Sequence, residues 1–315
     1  MAQIDIGEAA TAGVNLVFRK PLVVLTWGLV VVAYVVLLLV LFGGGMIAMI
    51  GPLLAAGAKP APAQIIGMIG GFIGFYFLFL IGMLVLGAMV SAAAIRAELE
   101  PDNVGFAYLR LGRQELWLIA VNFVQGLLLG VIQIVLSIPL TILSVAMTVG
   151  IAGGGTEHDG GALAVMVLVR FLGQLVVIGV TFWVWIRLSL GPVLSYRDRE
   201  FRLFESWAMT KGHALQMFLA MLLVVLIGIA LYVVVSIIGA AGVFGFIAAT
   251  PALRNPQALF QGPPGVWLSA LGPIIVFVAL LMVVVFGVIN ALTWTTVARM
   301  YKQLNPDADI ASNFA

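Results

Sequence analysis

The fold is decided by stretches such as residues 21–42, which read PLVVLTWGLVVVAYVVLLLVLF and carry no charge. A helix rises 1.5 Å per residue, so about 20 apolar residues cross a bilayer core of about 30 Å. This stretch is therefore long enough to cross a membrane once. It is also too long for the apolar region of a signal peptide, and Asp5 and Glu8 precede it, so we expect a retained span.

Five further stretches along the chain have the same character. In lipid each backbone N–H and C=O group needs a partner within the protein, and these stretches are too long for the strands of a barrel. The sequence therefore predicts an all-α integral membrane protein with six transmembrane helices arranged as three hairpins. The predicted spans are residues 21–42, 64–90, 116–149, 162–186, 214–247 and 267–298.

Composition excludes several other classes of protein. Of the 315 residues, 63% are apolar and 9% are charged, whereas soluble domains carry about 25% charged residues. The mean hydropathy is +1.21, so lipid must solvate many of the apolar side chains. A soluble enzyme, a disordered chain and a disulfide scaffold are thereby excluded. Because the chain has no cysteine, thiol catalysis and thiolate metal sites are excluded as well.

Lys and Arg residues are distributed unevenly between the two sides of the predicted spans. Of the 15 Lys and Arg residues, only Lys59 and Arg254 lie on the less basic side, and Arg170 lies within a span. Positive residues accumulate on the cytoplasmic side of membrane proteins, so we expect both termini to face the cytoplasm from the cytoplasmic membrane. The remaining twelve, on the expected cytoplasmic side, are Arg19, Lys20, Arg96, Arg110, Arg113, Arg187, Arg197, Arg199, Arg202, Lys211, Arg299 and Lys302.

A short amphipathic segment precedes each odd-numbered span and ends in a basic break at Lys20, Arg113 or Lys211. Aromatic and basic residues at helical spacing are typical of helices that lie at the level of the lipid headgroups. We interpret the pattern as three copies of an interfacial helix, an elbow and a membrane hairpin within one membrane domain. The alternative is that multi-pass proteins generally place amphipathic, basic segments before their spans. The predicted repeat units are residues 1–95, 96–187 and 188–300, followed by a tail at 301–315.

The elbow before the fifth span, residues 204–212, reads FESWAMTKG, and a weaker counterpart at residues 111–117 reads LGRQELW. At these elbows the chain resembles a broad group of uncharacterised bacterial six-span proteins. The group includes the YciC-like membrane proteins and the membrane domain attached to some glycerophosphodiester phosphodiesterases. The resemblance implies the six-span layout and transfers no catalytic residue. We expect no phosphodiesterase activity, because no soluble domain follows Asn313 in this sequence.

The basic elbows are candidate lipid-binding sites, because Lys and Arg at the headgroup level attract anionic lipid. Nearby acids, Asp198, Glu200 and Glu205, are expected to pair with neighbours such as Arg202 on a solvated helix face. The candidate lipid-binding residues are Arg113, Arg197, Arg199, Arg202 and Lys211.

Arg170 is the one ionisable residue well inside a predicted span, and such residues are functional candidates. It precedes Arg187 by 17 residues, or about 26 Å of helix, which places it near the outer headgroups if Arg187 marks the cytoplasmic boundary. One interpretation is an interfacial arginine that meets lipid phosphate or the preceding loop. The other is a buried substrate or ion site.

Large polar amides within the spans are expected to face other helices, where interhelical hydrogen bonds satisfy them. A polar lumen is the alternative. The residues are Asn122, Gln125 and Gln133 on the third span, Gln174 beside Arg170 on the fourth, and Asn290 on the sixth.

Glycines at G-x-x-x-G spacing favour close helix packing, either within the chain or in a dimer. The pairs are Gly67 with Gly71, Gly70 with Gly74, and Gly126 with Gly130.

Catalytic patterns are nearly absent. His158 and His213 lie on opposite sides of the membrane in the predicted topology, so they cannot share a metal ion. Glu157, His158 and Asp159 are consecutive, and a solvated turn explains them better than a cation site. We therefore expect no metal, no cofactor and no enzyme activity.

These patterns favour a non-enzymatic multi-pass membrane protein that engages lipids or membrane partners through its basic elbows. The alternative is a transporter or lipid-moving protein with a polar path between the third and fourth spans. A membrane enzyme is the third hypothesis, and only residues 197–213 hold enough titratable groups for it. The expected partners are membrane lipids, anionic ones in particular, together with a second copy of the chain or other membrane proteins, and no nucleic acid.

Overall fold

The computed structural model describes residues 4–55, 61–102, 105–153, 160–254 and 264–305. Within these residues the chain forms α-helices, turns and one 3₁₀ helix, Pro251–Arg254, and it forms no strand. The α-helices of the described residues are α1 (Ile6–Arg19), α2 (Pro21–Ala55), α3 (Pro62–Leu99), α4 (Arg113–Gly153), α5 (Gly160–Leu188), α6 (Gly191–Asp198), α7 (Glu205–Met209), α8 (Ala214–Ala249) and α9 (Pro264–Leu304).

Six of these helices, α2 to α5, α8 and α9, are long and apolar enough to cross a membrane. This finding confirms the predicted number of candidate spans. The shortest is α5 with 29 residues and the longest are α4 and α9 with 41 each. At 1.5 Å per residue they measure about 44 to 62 Å, so each exceeds a hydrocarbon core of about 30 Å.

The chain divides into two compact units. The first unit comprises Met1–Gly112 and Leu219–Ala315, and the second comprises Arg113–Phe218. Each unit is described by itself below.

In the first unit, the backbones of α2 and α9 come into contact at two glycines. A Cβ atom at Gly28 would meet the carbonyl oxygen of Val283, and one at Gly287 would meet the carbonyl oxygen of Val24. The two helix backbones therefore touch at both positions. In lipid, small residues allow this approach and let the helices gain van der Waals contact.

Asp5 caps the N-terminus of helix α1, because its carboxylate accepts a hydrogen bond of 2.9 Å from the backbone N–H of Glu8. Its buried face consists of small residues and packs on α9, where a Cβ atom at Gly13 would lie 2.5 Å from the Cα atom of Leu292. The apolar stripe of α1 thus contacts protein along most of its length. Phe18, at 80% exposure, is the exception. An interfacial position for α1 stays a prediction.

A turn at residues 105–112 follows α3 and is fixed to the first unit by hydrogen bonds to its backbone. The indole Nε1 of Trp27 donates to the Ala107 carbonyl at 2.8 Å, and the guanidinium of Arg96 donates to the Tyr108 carbonyl. Ala107 and Tyr108 have φ angles of 50° and 60°. Because residues other than glycine rarely adopt this left-handed backbone conformation, the surrounding contacts must hold the turn in place.

Residues 105–112 therefore differ from the amphipathic helix predicted before the third span. Positive φ angles cannot continue a right-handed helix, and the contacts from α2 and α3 fix this conformation. Before the fifth span the structure has two short helices, α6 and α7, because Arg199 adopts a φ of 56° and ends α6. The boundaries of the proposed repeat units stay a prediction.

In the second unit, the buried residues Val121, Leu188 and Leu203 form a cluster. Leu203 lies against Gly191, where a Cβ atom would come within 2.8 Å of the leucine side chain. The hydroxyl of Ser195 accepts a hydrogen bond of 2.9 Å from the backbone N–H of Arg202. These contacts fix the segment between α6 and α7.

Five of the six predicted G-x-x-x-G glycines pack against nothing in the part of the chain that the structure describes. At Gly70, Gly71, Gly74, Gly126 and Gly130 an added Cβ atom would meet no atom within 4 Å. Among the described glycines, those that approach the backbone of another segment are Gly13, Gly28, Gly191 and Gly287, which the spacing motif does not select. The motif thus identified small residues and missed the contacts that need them.

Candidate functional site

The candidate cations of the second unit are solvent-exposed, with one exception. Arg113 is the first residue of α4, Arg197 lies in the last turn of α6, and Arg199 and Lys211 lie in the turns that flank α7. All four are exposed. Arg202 is the exception.

Arg202 is surrounded by three carboxylates. Its guanidinium lies 2.7 Å from Asp198, 3.4 Å from Glu205 and 3.7 Å from Glu200. This arrangement confirms the prediction that these acids pair with Arg202. Because the acids outnumber the cation, Arg202 contributes little net attraction for an anionic headgroup.

Three aromatic side chains lie among these cations. Phe201, Phe204 and Trp207 are 37%, 61% and 43% exposed. Exposed aromatic rings beside Arg and Lys are typical of the membrane–water interface. We call residues 197–211 the second-unit elbow.

Part of the FESWAMTKG stretch fixes the end of α5. The guanidinium of Arg187 lies 4.8 Å from the ring centroid of Trp207 and 5.8 Å from that of Trp183, and it donates to the Thr210 hydroxyl at 3.0 Å. The Ser206 hydroxyl donates to the Arg187 carbonyl at 2.8 Å. The serine, tryptophan and threonine of this elbow thus bind one arginine, a role that the sequence reading missed.

The first unit carries a polar concavity of about 360 Å³ that the sequence reading did not identify. It is lined by four cations and two carboxylates that come from the ends of α1, α3 and α9 and from the α1–α2 junction. We call it the basic concavity. Its charged residues are Glu8, Arg19, Lys20, Glu98, Arg299 and Lys302.

Ion pairs connect the helices that line the basic concavity. Arg299 lies 2.8 Å from Glu98 and 3.4 Å from Glu8, and Gln303 donates to Glu8 at 3.0 Å. Both carboxylates are thus bound by Arg299. The three other cations line the same concavity, where positive charges outnumber negative charges by two.

A third polar feature, which we call the hydroxyl groove, lies between α4 and α5 in the second unit. It encloses about 170 Å³, and Leu140 and Val145 complete its walls. Arg170 and Gln174 are therefore brought together as predicted from their spacing of one turn. The hydroxyls on α4 are a finding of the structure, although their spacing of four, three and four residues is visible in the sequence as one helical stripe. Its polar residues are Ser137, Thr141, Ser144, Thr148, Arg170 and Gln174.

The other predicted intramembrane amides lie elsewhere. Gln133 lines two neighbouring cavities of the second unit, whereas Asn122 and Gln125 line neither these cavities nor the hydroxyl groove. Gln125 is buried, and Asn122 is half-buried. Asn290 donates to the Phe286 carbonyl of its own helix at 2.8 Å. This hydrogen bond lies within one helix, whereas the sequence predicted one between helices.

Groups that could support catalysis are sparse in the described residues. No three His, Asp or Glu residues come together there as a metal site. The Glu157–His158–Asp159 cluster and Lys59 lie outside the described residues. The Nδ1 atom of His213 lies 3.2 Å from the Gln216 side chain, within the first turn of α8.

The six long apolar helices define a multi-pass membrane protein, with polar features in both units. No protein-family model matches the sequence, and no curated protein or solved structure gives a significant match. The resemblance to the YciC-like group therefore stays a prediction.

Proposed function

We propose that this protein is a non-enzymatic membrane protein that binds anionic phospholipid headgroups at its cytoplasmic side. The basic concavity is the main site, and the second-unit elbow adds exposed cations and aromatic rings. The observation that carries the proposal is the net positive charge of one concavity, which is lined by Arg19, Lys20, Arg299 and Lys302 and by two carboxylates.

The position of the basic concavity supports a headgroup ligand. Arg19, Lys20, Arg299 and Lys302 all belong to the side of the chain where basic residues accumulate. Each Lys or Arg near an anionic leaflet contributes about 1 kcal/mol of attraction. The volume of about 360 Å³ admits a headgroup and leaves the acyl chains to the surrounding lipid.

Exposed apolar residues at the same ends of helices support an adjoining lipid surface. Phe18 and Leu22, beside Arg19 and Lys20, are 80% and 77% exposed. Apolar side chains in this position cover acyl chains while neighbouring cations meet phosphate.

Native mass spectrometry of the protein, released from nanodiscs that contain equal amounts of phosphatidylglycerol and phosphatidylcholine, tests the proposal. The wild-type protein is expected to retain phosphatidylglycerol in preference. The double variant Arg19→Gln/Lys302→Gln is expected to lose about tenfold or more of that retention, since two cations near the headgroup are removed.

The matched control is Lys59→Gln/Arg254→Gln, which removes the same charge from the other side of the predicted topology. Its retention of phosphatidylglycerol is expected to equal that of the wild-type protein. An equal loss in both double variants would show that retention follows net charge and would overturn the site. Cations in the last turn of a helix also stabilise that helix, so thermal unfolding of each variant is measured in parallel.

A further inference from the structure

We propose that the hydroxyl groove binds the headgroup of a phospholipid that carries free hydroxyl groups beyond its phosphate, taken from the outer leaflet. This inference concerns a second site, on different residues from the basic concavity, and stands independently of the function proposed above.

The α4 wall of the groove presents hydrogen-bond acceptors. The hydroxyl of Thr141 donates to the Ser137 carbonyl at 2.9 Å, that of Ser144 to the Leu140 carbonyl at 2.7 Å, and that of Thr148 to the Ser144 carbonyl at 2.8 Å. The protons of Thr141 and Ser144 are thereby committed to the helix backbone, and their oxygen lone pairs remain to accept. The Thr148 hydroxyl also lies 3.5 Å from the Met166 sulfur. A ligand that matches this wall must supply donors.

The α5 wall presents a cation. Arg170 is exposed in the groove, and among the described residues it has no hydrogen-bond or ion-pair partner. A guanidinium carries five N–H donors and no acceptor, and its planar fork matches the oxygens of a phosphate. Gln174, one turn further along α5, adds an amide. A ligand that matches this wall must supply an oxyanion.

Depth favours a lipid as the source of that oxyanion. Arg170 lies 17 residues, or about 26 Å of helix, from Arg187. With Arg187 at the cytoplasmic boundary, as its charge predicts, this distance places Arg170 near the outer headgroup level of a bilayer whose core is about 30 Å thick. Lipid phosphates lie at that level.

Size and charge narrow the headgroup. A volume of about 170 Å³ suits a small polar headgroup, because it is below the range of about 300 Å³ upward that is typical of drug-sized ligands. An ammonium headgroup would also donate hydrogen bonds. However, no carboxylate among the described residues lines the groove, and Arg170 makes this described lining positive, so neutral hydroxyls fit better than a second cation.

A local readout tests occupancy of this groove alone. The chain has no cysteine, so Val145→Cys, at a position that lines the groove, introduces a single thiol. In bilayers that contain phosphatidylglycerol, alkylation of this thiol by a maleimide is expected to be severalfold slower than in bilayers of phosphatidylcholine, whose headgroup has no donor. Equal rates in the two bilayers would overturn the proposal.

Two substitutions separate the walls of the groove. In the Val145→Cys background, Arg170→Gln is expected to weaken protection of the thiol by phosphatidylglycerol and by phosphatidic acid. The fraction of either lipid needed for the same protection is expected to rise about tenfold, because charge-assisted hydrogen bonds to phosphate are lost. Thr141→Val/Ser144→Ala is expected to weaken protection by phosphatidylglycerol only. If this double variant weakens protection by both lipids equally, the hydroxyls of α4 do not distinguish the headgroups, and that part of the proposal is wrong.

Further arms distinguish the competing sources and sites. Stronger protection by phosphatidylethanolamine than by phosphatidylglycerol would overturn the preference for hydroxyls over ammonium. Protection by soluble glycerol 1-phosphate in phosphatidylcholine bilayers, equal to that by phosphatidylglycerol, would overturn the lipid source. Arg19→Gln/Lys302→Gln is the control, and protection of the thiol is expected to be unchanged by it.

Discussion

Tyr108 is held in a backbone conformation that its own side chain disfavours. A left-handed residue other than glycine costs about 1–2 kcal/mol, and Ala107 beside it has the same conformation. The Tyr108 hydroxyl accepts from Lys20 at 2.5 Å and donates to the Pro101 carbonyl at 2.8 Å, while its own carbonyl accepts from Arg96. These contacts offset the strain.

Removing the hydroxyl with Tyr108→Phe is expected to lower the free energy of unfolding by about 1–2 kcal/mol, since two hydrogen bonds of a buried group are lost. Thermal unfolding in detergent, followed by circular dichroism, measures the change. The matched control is Tyr76→Phe, at a residue of α3 that is 53% exposed. Equal shifts in Tm for the two variants would show that the Tyr108 hydrogen bonds do not stabilise the turn.

Arg96 shows what a residue-level reading of the sequence misses. By sequence, Arg96 counts among the basic residues on the expected cytoplasmic side. Its side chain is 1% exposed and donates to the backbone of the turn at residues 105–112. No local pattern reveals this role, because the acceptor is the carbonyl of a residue twelve positions away, in a turn outside the helix that carries Arg96.

At the scale of helices, the crossing of α2 with α9 depends on backbone contact at Gly28 and Gly287. A methyl group at either position would meet a carbonyl oxygen of the other helix, and neither carbonyl can rotate away as a flexible side chain could. The helices must then separate along their contact.

Gly28→Ala is therefore expected to lower the free energy of unfolding by about 1–3 kcal/mol, the usual cost of overpacking. Gly70→Ala on α3 is the control, because its added methyl group meets no atom, and it is expected to leave stability unchanged or to raise it through helix propensity. Thermal unfolding of the two variants compares them directly. A Gly28→Ala variant as stable as the control would rule out a tight crossing.

For the molecule as a whole, the uneven distribution of basic residues predicts which loops face the cytoplasm. Since the chain has no cysteine, single cysteines report the side on which each loop lies. In intact cells, a membrane-impermeant maleimide is expected to label Lys59→Cys and Arg254→Cys, and to label Arg199→Cys and Lys211→Cys only after the membrane is permeabilised. The reverse pattern would invert the topology, and a mixed pattern would contradict the predicted spans.

The sequence by itself determined the class of protein, the six apolar helices, the pairing of Arg202 with its acidic neighbours and the proximity of Arg170 to Gln174. These features follow from composition and from the 3.6-residue helical period, which act over short distances along the chain. Only the tertiary structure decided which glycines touch another helix, that Arg96 is buried, and that Arg19 and Lys302 share a concavity. Such features depend on contacts between residues far apart in sequence, because packing selects one of the many faces that a uniformly apolar helix offers.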